Sequence, residues 1–375
     1  MNYHHPARSG ALLSIDLDAI CANWRLLKHM VGPADCAAVV KADAYGLDAS
    51  RVAPALARAG CGHFFVAHLD EAIALRPHLP AAARVYVLHG APPGVEAEFV
   101  AHDLIPVLNS LPQVDAWSRL ARTEQRALPA LLQVDTGMAR LGLSAGELTD
   151  IVADPSRLHG IELRYLMSHL ACAEAQDHAG NALQLERFRT ALAAFPQAPG
   201  CFANSSGIFL GRDYHFGLVR PGAALYGIAP VAGAANPMRA VIRLQGKVIQ
   251  TRQIEAGSGV GYSLSWRAAQ ASRIATVAVG YADGYLRSLS NRGIARINGV
   301  DLPLVGNVSM DTITLDVSAL PADALQTGSL VDLIDDAHGV DAVAQRAGTI
   351  GYEILTSLGA RYARHYIGGG LERLG

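Results

Sequence analysis

The stretch CAAVVKADAYGLDASRVAPALARAGCGHFFVA, residues 36–67, decides the fold. An apolar run ends at Lys41, a helical pattern covers Ser50–Ala59, and a second apolar run ends at Ala67. Two short apolar runs joined by a helix read as a crossover between parallel strands. The same rhythm continues to about residue 230. Further runs end at Leu88, Leu108, Asp135, His169, Ser205 and Gly222, with helical patterns at Glu71–Leu79, Leu111–Leu120 and His178–Ala194. Eight such runs predict an α/β chain that opens as a (β/α)8 barrel of the TIM-like kind; an open doubly wound sheet is the alternative.

Beyond the barrel the texture changes. Val231-Ala-Gly-Ala-Ala-Asn-Pro-Met238 is a run of small residues and turn formers, which reads as a linker. It divides the chain into expected domains at residues 1–235 and 236–375. After it come β-patterned runs at Ile242–Ile254, Arg273–Val279, Ile294–Ile297, Leu302–Val305, Thr312–Val317 and Ser329–Ile334, with Asn298-Gly299 as a hairpin signal. Only Asp341–Ala347 and Thr356–Tyr362 look helical, so the second domain reads as mostly antiparallel β.

Composition narrows the function. The 375 residues are 51% hydrophobic and 17% charged, which excludes a disordered chain and supports a large core. No apolar stretch approaches the ~18 residues of a membrane span, and the first ten residues lack a secretory pattern. We therefore expect a soluble, cytoplasmic protein without a membrane partner. Net charge is −2 and no basic stripe is visible, so no nucleic-acid partner is expected. The five cysteines form no CxxC pair, which argues against a metal site or a disulfide framework. Only Lys28, Lys41 and Lys247 are lysines among 31 basic residues. Unlike arginine, lysine can lose its proton, so a lysine retained in so arginine-rich a chain suggests amine chemistry.

In a barrel the chemistry sits at strand C-terminal ends. Several ends here carry polar groups: Lys41, Arg140, His169, Asn204-Ser205 and Arg220. Valines beside Lys41 would disfavour its charged form, which suits an amine that forms a Schiff base; a solvated loop lysine is the plain alternative. Asn204-Ser205-Ser206-Gly207 and Arg220-Pro221-Gly222-Ala223 follow the last two strands, where barrels often bind phosphate, although Ser-Gly and Pro-Gly are also common turn formers. Tyr45, Tyr281 and Tyr352 lie in polar, glycine-rich settings. Singly, these tyrosines and His169 read more naturally as packing residues.

Six motifs, in order along both domains, change that weighing. Val40-Lys-Ala-Asp-Ala-Tyr-Gly46, Val134-Asp-Thr-Gly-Met-Ala-Arg140 and Val219-Arg-Pro-Gly-Ala-Ala-Leu-Tyr-Gly227 lie in the first domain. Val279-Gly-Tyr-Ala-Asp-Gly284, Val305-Gly-Asn-Val-Ser-Met-Asp311 and Ile350-Gly-Tyr-Glu353 lie in the second. Together they resemble the alanine racemases, enzymes that use pyridoxal 5'-phosphate (PLP). The resemblance implies interconversion of L- and D-alanine, D-alanine supply for cell-wall peptidoglycan, and a homodimer with shared active sites.

It also implies roles. Lys41 would hold PLP as an internal aldimine. Tyr45, Asn204, Ser205, Gly222, Ala223 and Tyr352 would serve its phosphate end, His169 would lie against the ring, and Arg220 would face the ring nitrogen. Arg140 would contact the phenolic oxygen and the substrate, and the Met310 backbone would receive the substrate carboxylate. Racemisation needs proton groups on both faces of the α-carbon, here Lys41 and Tyr281, the latter from a partner subunit. No metal is implied.

Four positions depart from the common family pattern. Gln133 stands where many members have a carbamylated lysine; its amide can still accept a hydrogen bond from Arg140. Asp43, Leu47 and Asn307 replace a frequent Asn, His and Arg. A decarboxylase on the same plan would pair the ring nitrogen with a carboxylate rather than Arg220. A non-catalytic PLP carrier would lack the second domain. A broader or serine-preferring racemase is the remaining alternative.

Overall fold

The opening stretch folds as a strand–helix–strand unit whose first strand is interrupted. In the computed structural model, which describes residues 5–370, β1 (Ala11–Asp16) precedes β2 (Asp35–Cys36) and β3 (Ala38–Val39). The interruption at Ala37 still bonds a neighbour, because Ala37 N–H donates to Val219 O at 2.9 Å. Residues 1–4 and 371–375, the ends of the two expected domains and part of the segment read for a leader, lie outside the described residues.

Two units emerge from the contacts: Ile20–Arg239, and Ala240–Gly375 together with the N-terminal residues up to Ala19. The first contains β2, β3, β4 (His63–Val66), β5 (Arg84–Val87), β6 (Ile105–Leu108), β7 (Leu128–Gln133), β8 (Ile161–Met167), β9 (Gly200–Asn204) and β10 (Leu218–Arg220). All neighbours are parallel in the order β2-β10-β9-β8-β7-β6-β5-β4-β3. Since β2 and β3 are halves of one strand, the path returns on itself as an eight-fold barrel, the expected fold. Its strands are nearly continuously buried, as a parallel sheet covered on both faces requires. Phe65 stacks on Tyr86 and Phe188 on Phe202, each pair at 4.5 Å between ring centroids.

Each strand ends within two residues of its expected position, and the expected helices appear as Ala49–Arg58, Leu69–Leu75, Leu111–Thr123 and Ala179–Ala193. The Asp48 side chain caps the first, accepting from Ser50 N–H at 3.0 Å. Leu17–Val31, Glu96–Ala101 and Ala145–Ala153 are further helices. No helix among the described residues is long and apolar enough to cross a membrane.

The second unit holds β1, β11 (Ile242–Ile254), β12 (Gly259–Val260), β13 (Trp266–Arg267), β14 (Ser272–Val277), β15 (Ile294–Ile297), β16 (Val300–Pro303), β17 (Ile313–Asp316), β18 (Leu330–Ile334) and β19 (Ala363–Ile367). Its main path runs β16-β15-β18-β11-β1-β19, with β14 joining β11 to β17; only β1 and β19 pair in parallel. Asn298 and Gly299, both at positive φ, turn the β15–β16 hairpin as expected. Two expectations differ. The division at 235 and 236 grouped β1 with the barrel, whereas β1 hydrogen-bonds β11 and β19 over its whole length. The last helix runs Gly351–Ser357 rather than Thr356–Tyr362, because Leu358 turns extended (φ −60°, ψ 114°) and Tyr362 leads into β19.

Candidate active site

Lys41 follows β3 after the single residue Val40 and opens an unusual turn. Ala42, Asp43, Ala44 and Tyr45 all take left-handed backbone angles, with φ between 52° and 57°. Left-handed geometry costs an L-residue roughly 1–2 kcal/mol, so four in succession need outside support. Support comes from Ala44 N–H to Val40 O at 2.9 Å, from Asp48 N–H to Asp43 O at 3.0 Å, and from the Asp43 carboxylate, which accepts from Ala49 N–H at 2.7 Å. The partly buried Lys41 amine has its proton affinity lowered, first by burial and then by the Arg140 charge, while Glu71 opposes the shift.

Arg220, at the end of β10, is 3% exposed. One guanidinium nitrogen donates to Cys201 O at 2.8 Å and to Cys201 Sγ at 3.1 Å. The other donates to Ser168 O at 2.7 Å and to His169 Nδ1 at 3.2 Å. Among the described residues no carboxylate pairs with it, which is rare for a buried cation. Guanidinium only donates, so His169 Nδ1 is the acceptor and Nε2 carries the ring proton. Burial, reinforced by Arg220, Arg140 and Lys41, pushes the His169 pKa down to about 3. The imidazole is therefore neutral at physiological pH.

Beside this pair lies a cradle of N–H and O–H groups. Ser205, at the end of β9, accepts from Gly222 N–H at 2.9 Å and Ala224 N–H at 3.2 Å through its hydroxyl, which keeps its own proton to donate. The intervening Ala223 N–H meets no acceptor among the described residues. A Cβ on Gly222 would collide with the Tyr45 hydroxyl, so glycine lets that hydroxyl close on the cradle. Tyr45 is backed by Tyr226, with centroids 4.6 Å apart, and Tyr226 Oη donates to Val39 O at 3.0 Å. Asn204 has a different job: its Oδ1 caps the next turn by accepting from Gly207 N–H at 2.8 Å.

Arg140 is exposed, following a turn in which Asp135 accepts N–H bonds from Gly137, Met138 and Ala139. The buried Gln133 turns away from it. Its amide nitrogen donates to Leu141 O at 3.2 Å, and no bond to Arg140 forms among the described residues.

In the second unit, Tyr281 N–H donates to Ser309 O and Ala282 N–H to Met310 O, each at 3.0 Å, which staples two motif loops together. Arg361 clamps both loops from behind, bonding Asp283 at 2.6 and 2.8 Å and Asp311 at 2.7 Å. The Met310 N–H meets no acceptor among the described residues and so can receive a carboxylate. Tyr281 is 42% exposed and Tyr352, on the helix Gly351–Ser357, 39%. A further tyrosine escaped the sequence reading. Tyr262 is 72% exposed on a turn where Gly261, Ser263 and Leu264 all have positive φ, and its carbonyl accepts from Asn307 Nδ2 at 3.0 Å. It lines an open cleft of about 480 Å³ with Asn307, Ser309 and Thr312. Among the described residues no group of three or more His, Cys, Asp or Glu side chains is placed to hold a metal ion.

Residues 15–230 match the family model for the N-terminal domain of alanine racemase, and residues 241–366 match that for its C-terminal domain. The chain belongs to the alanine racemase family. It is 55% identical over 360 residues to a catabolic alanine racemase of Agrobacterium fabrum, covering 96% of this chain and 93% of that one. An alanine racemase of Rhodospirillum rubrum is 50% identical over 97% of this chain and 98% of its own. A crystal structure of alanine racemase from Bartonella henselae with covalently bound pyridoxal phosphate superposes with a TM-score of 0.93 at 44% identity, covering 96% of this chain and all of the other. Tyr262 sits in a Gly-Tyr-Ser context like the other glycine-flanked tyrosines, a signal by which it could have been found. Glu71 and Cys201 carried no such signal: both act through side-chain bonds to segments distant in sequence.

Proposed function

We propose that this chain interconverts L- and D-alanine, with PLP anchored on Lys41 in the barrel unit. The observation that carries this reading is Arg220, a buried cation without a carboxylate partner among the described residues, held against neutral His169, a ring that also feels the charge of the partly desolvated Lys41 amine. The donor set suits PLP. Ser205, the open Ala223 N–H and Tyr45 match a phosphate, with Gly222 leaving room for it. Tyr352 would join this phosphate end; Asn204 shapes the turn behind it.

Bound PLP supplies an electron sink that makes the substrate's α-C–H acidic. Around it His169 would pack on the ring, Arg220 would donate to the ring nitrogen, and Arg140 would contact the phenolic oxygen and the substrate. The Met310 N–H would receive the substrate carboxylate. Lys41, its proton affinity already lowered, takes or returns the proton on one face.

A tyrosine of the second unit serves the other face. Tyr281 is the residue that the family resemblance suggested. Tyr262 has the stronger case, because its ring is far more exposed and is presented on a strained turn of the kind that concentrates at active sites. Either would come from the partner subunit of a homodimer in which two copies share two sites.

Enantiomers have equal free energy, so the catalyst sets no direction. We read D-alanine supply for peptidoglycan in the cytoplasm as the role; the catabolic name of the Agrobacterium relative favours the opposite use of the same reaction. A broader or serine-preferring range is not favoured, since the named relatives are alanine racemases. The test is incubation with PLP and a panel of L-amino acids in deuterated water, followed by chiral analysis. D-alanine carrying one α-deuterium is expected. Deuterium exchange without inversion, or loss of carbon dioxide, would refute the reading.

A further inference from the structure

We propose that Glu71 is a positioning residue for Lys41, one carboxylate oxygen locking the left-handed turn that carries the amine while the other locks the neighbouring strand end. The proposal rests on Lys41 being the PLP-bearing lysine. Glu71 lies in the first turn of the helix Leu69–Leu75, where one oxygen accepts from Ala67 N–H at 2.7 Å and from His68 N–H at 3.0 Å. That much is ordinary capping, which satisfies donors left open at a helix start. The second oxygen has no part in capping. It accepts from the N–H of Ala42 at 2.6 Å, 29 residues earlier in the chain.

Ala42 follows Lys41 directly and is the first of the four left-handed residues. Its N–H finds its acceptor in this carboxylate rather than in the turn itself. A charge-assisted bond here opposes unwinding toward ordinary right-handed or extended angles, either of which would redirect the Lys41 side chain. One rigid carboxylate thus couples the ends of β3 and β4.

Charge adds a second effect. Arg140 and Glu71 are the charges that act on Lys41, which in turn depresses the proton affinity of His169 and His89; Glu71 is the carboxylate of the group. It raises the amine's proton affinity against the depressing influence of Arg140. A merely structural brace would not move the pH at which Lys41 becomes reactive; this one does.

The test titrates PLP into the purified protein, traps the lysine adduct by borohydride reduction, and counts modified Lys41 peptide by mass spectrometry between about pH 6 and 10. The parent is compared with Lys41→Ala, Glu71→Ala, Glu71→Gln and the neighbouring exposed Asp70→Asn. Glu71→Ala should raise the half-saturating PLP concentration about tenfold, the scale of one lost charge-assisted bond. Glu71→Gln retains an acceptor for one side only and should lie between. Both should begin to trap at lower pH than the parent, and Asp70→Asn should match it. Circular dichroism checks the fold, and Glu71→Gln carries the comparison if Glu71→Ala does not fold. Absence of a Lys41 adduct in the parent overturns the reading of the site and this proposal with it. A labelled parent with Glu71→Gln within roughly twofold in half-saturation and unchanged in pH onset overturns the role of Glu71 alone.

Discussion

Arg220 and His169 show how single residues set the electronic demands of the site. A guanidinium offers only protons, so a ring nitrogen facing Arg220, as proposed, would stay an unprotonated acceptor. With PLP placed as proposed, the electron sink would be moderated, which would disfavour protonation at the wrong carbon. Arg220→Glu is expected to slow racemisation and to increase pyridoxamine phosphate formed per turnover; unchanged side-product by chromatography would contradict this. His169 makes a thermodynamic prediction. Its pKa is lowered to about 3 in the folded chain, so the unfolded chain binds the extra proton. Stability from this residue is therefore fully present above the unfolded value of about 6.5 and falls by roughly 1.4 kcal/mol per pH unit below it, down toward the folded value. Urea unfolding between pH 6 and 4 should show a slope about one proton smaller in His169→Gln; equal slopes would mean that the imidazole titrates freely.

At the scale of elements, the cradle depends on two backbone segments approaching a tyrosine. Tyr45 Cζ and Val39 Cβ would lie 3.2 Å from a side chain at Gly222, and the Tyr45 hydroxyl nearer still. Gly222→Ala should cost about 1–3 kcal/mol of stability as an overpacked site, and weaken PLP binding by displacing Tyr45. Thermal melts and PLP titration measure both. In a Tyr45→Phe background the same substitution should cost less, since the colliding hydroxyl is gone; strict additivity would locate the clash elsewhere.

For the whole molecule, the prediction concerns two chains. Tyr262→Phe should retain bound PLP yet lose most racemisation, while Tyr281→Phe should act mainly on KM; the reverse ranking returns the second proton group to Tyr281. The more damaging tyrosine variant is then mixed with Lys41→Ala under subunit exchange. In the proposed shared-site dimer a mixed pair would hold one site with both groups intact, so activity should recover toward about half the parental value per mixed dimer. No recovery in verified mixed dimers would place both groups within one chain.

Much of the barrel was legible because periodicity is local. Apolar runs and helical patterns located every strand end to within two residues, and Asn298-Gly299 specified its own turn. Lys41, Arg220, His169 and Ser205 stood out as polar residues at strand ends. What the sequence by itself determined was thus the order and type of the elements and the residues at their mouths. Only the tertiary structure decided that β1 pairs with β11 and β19, since strand partners hundreds of residues apart leave no trace in local pattern. The same holds for Gln133, which could have met Arg140 but bonds Leu141, and for Glu71, whose second oxygen reaches Ala42. Hydrogen-bond partners are chosen by what folding brings within 3 Å, and residue types alone do not carry that distance.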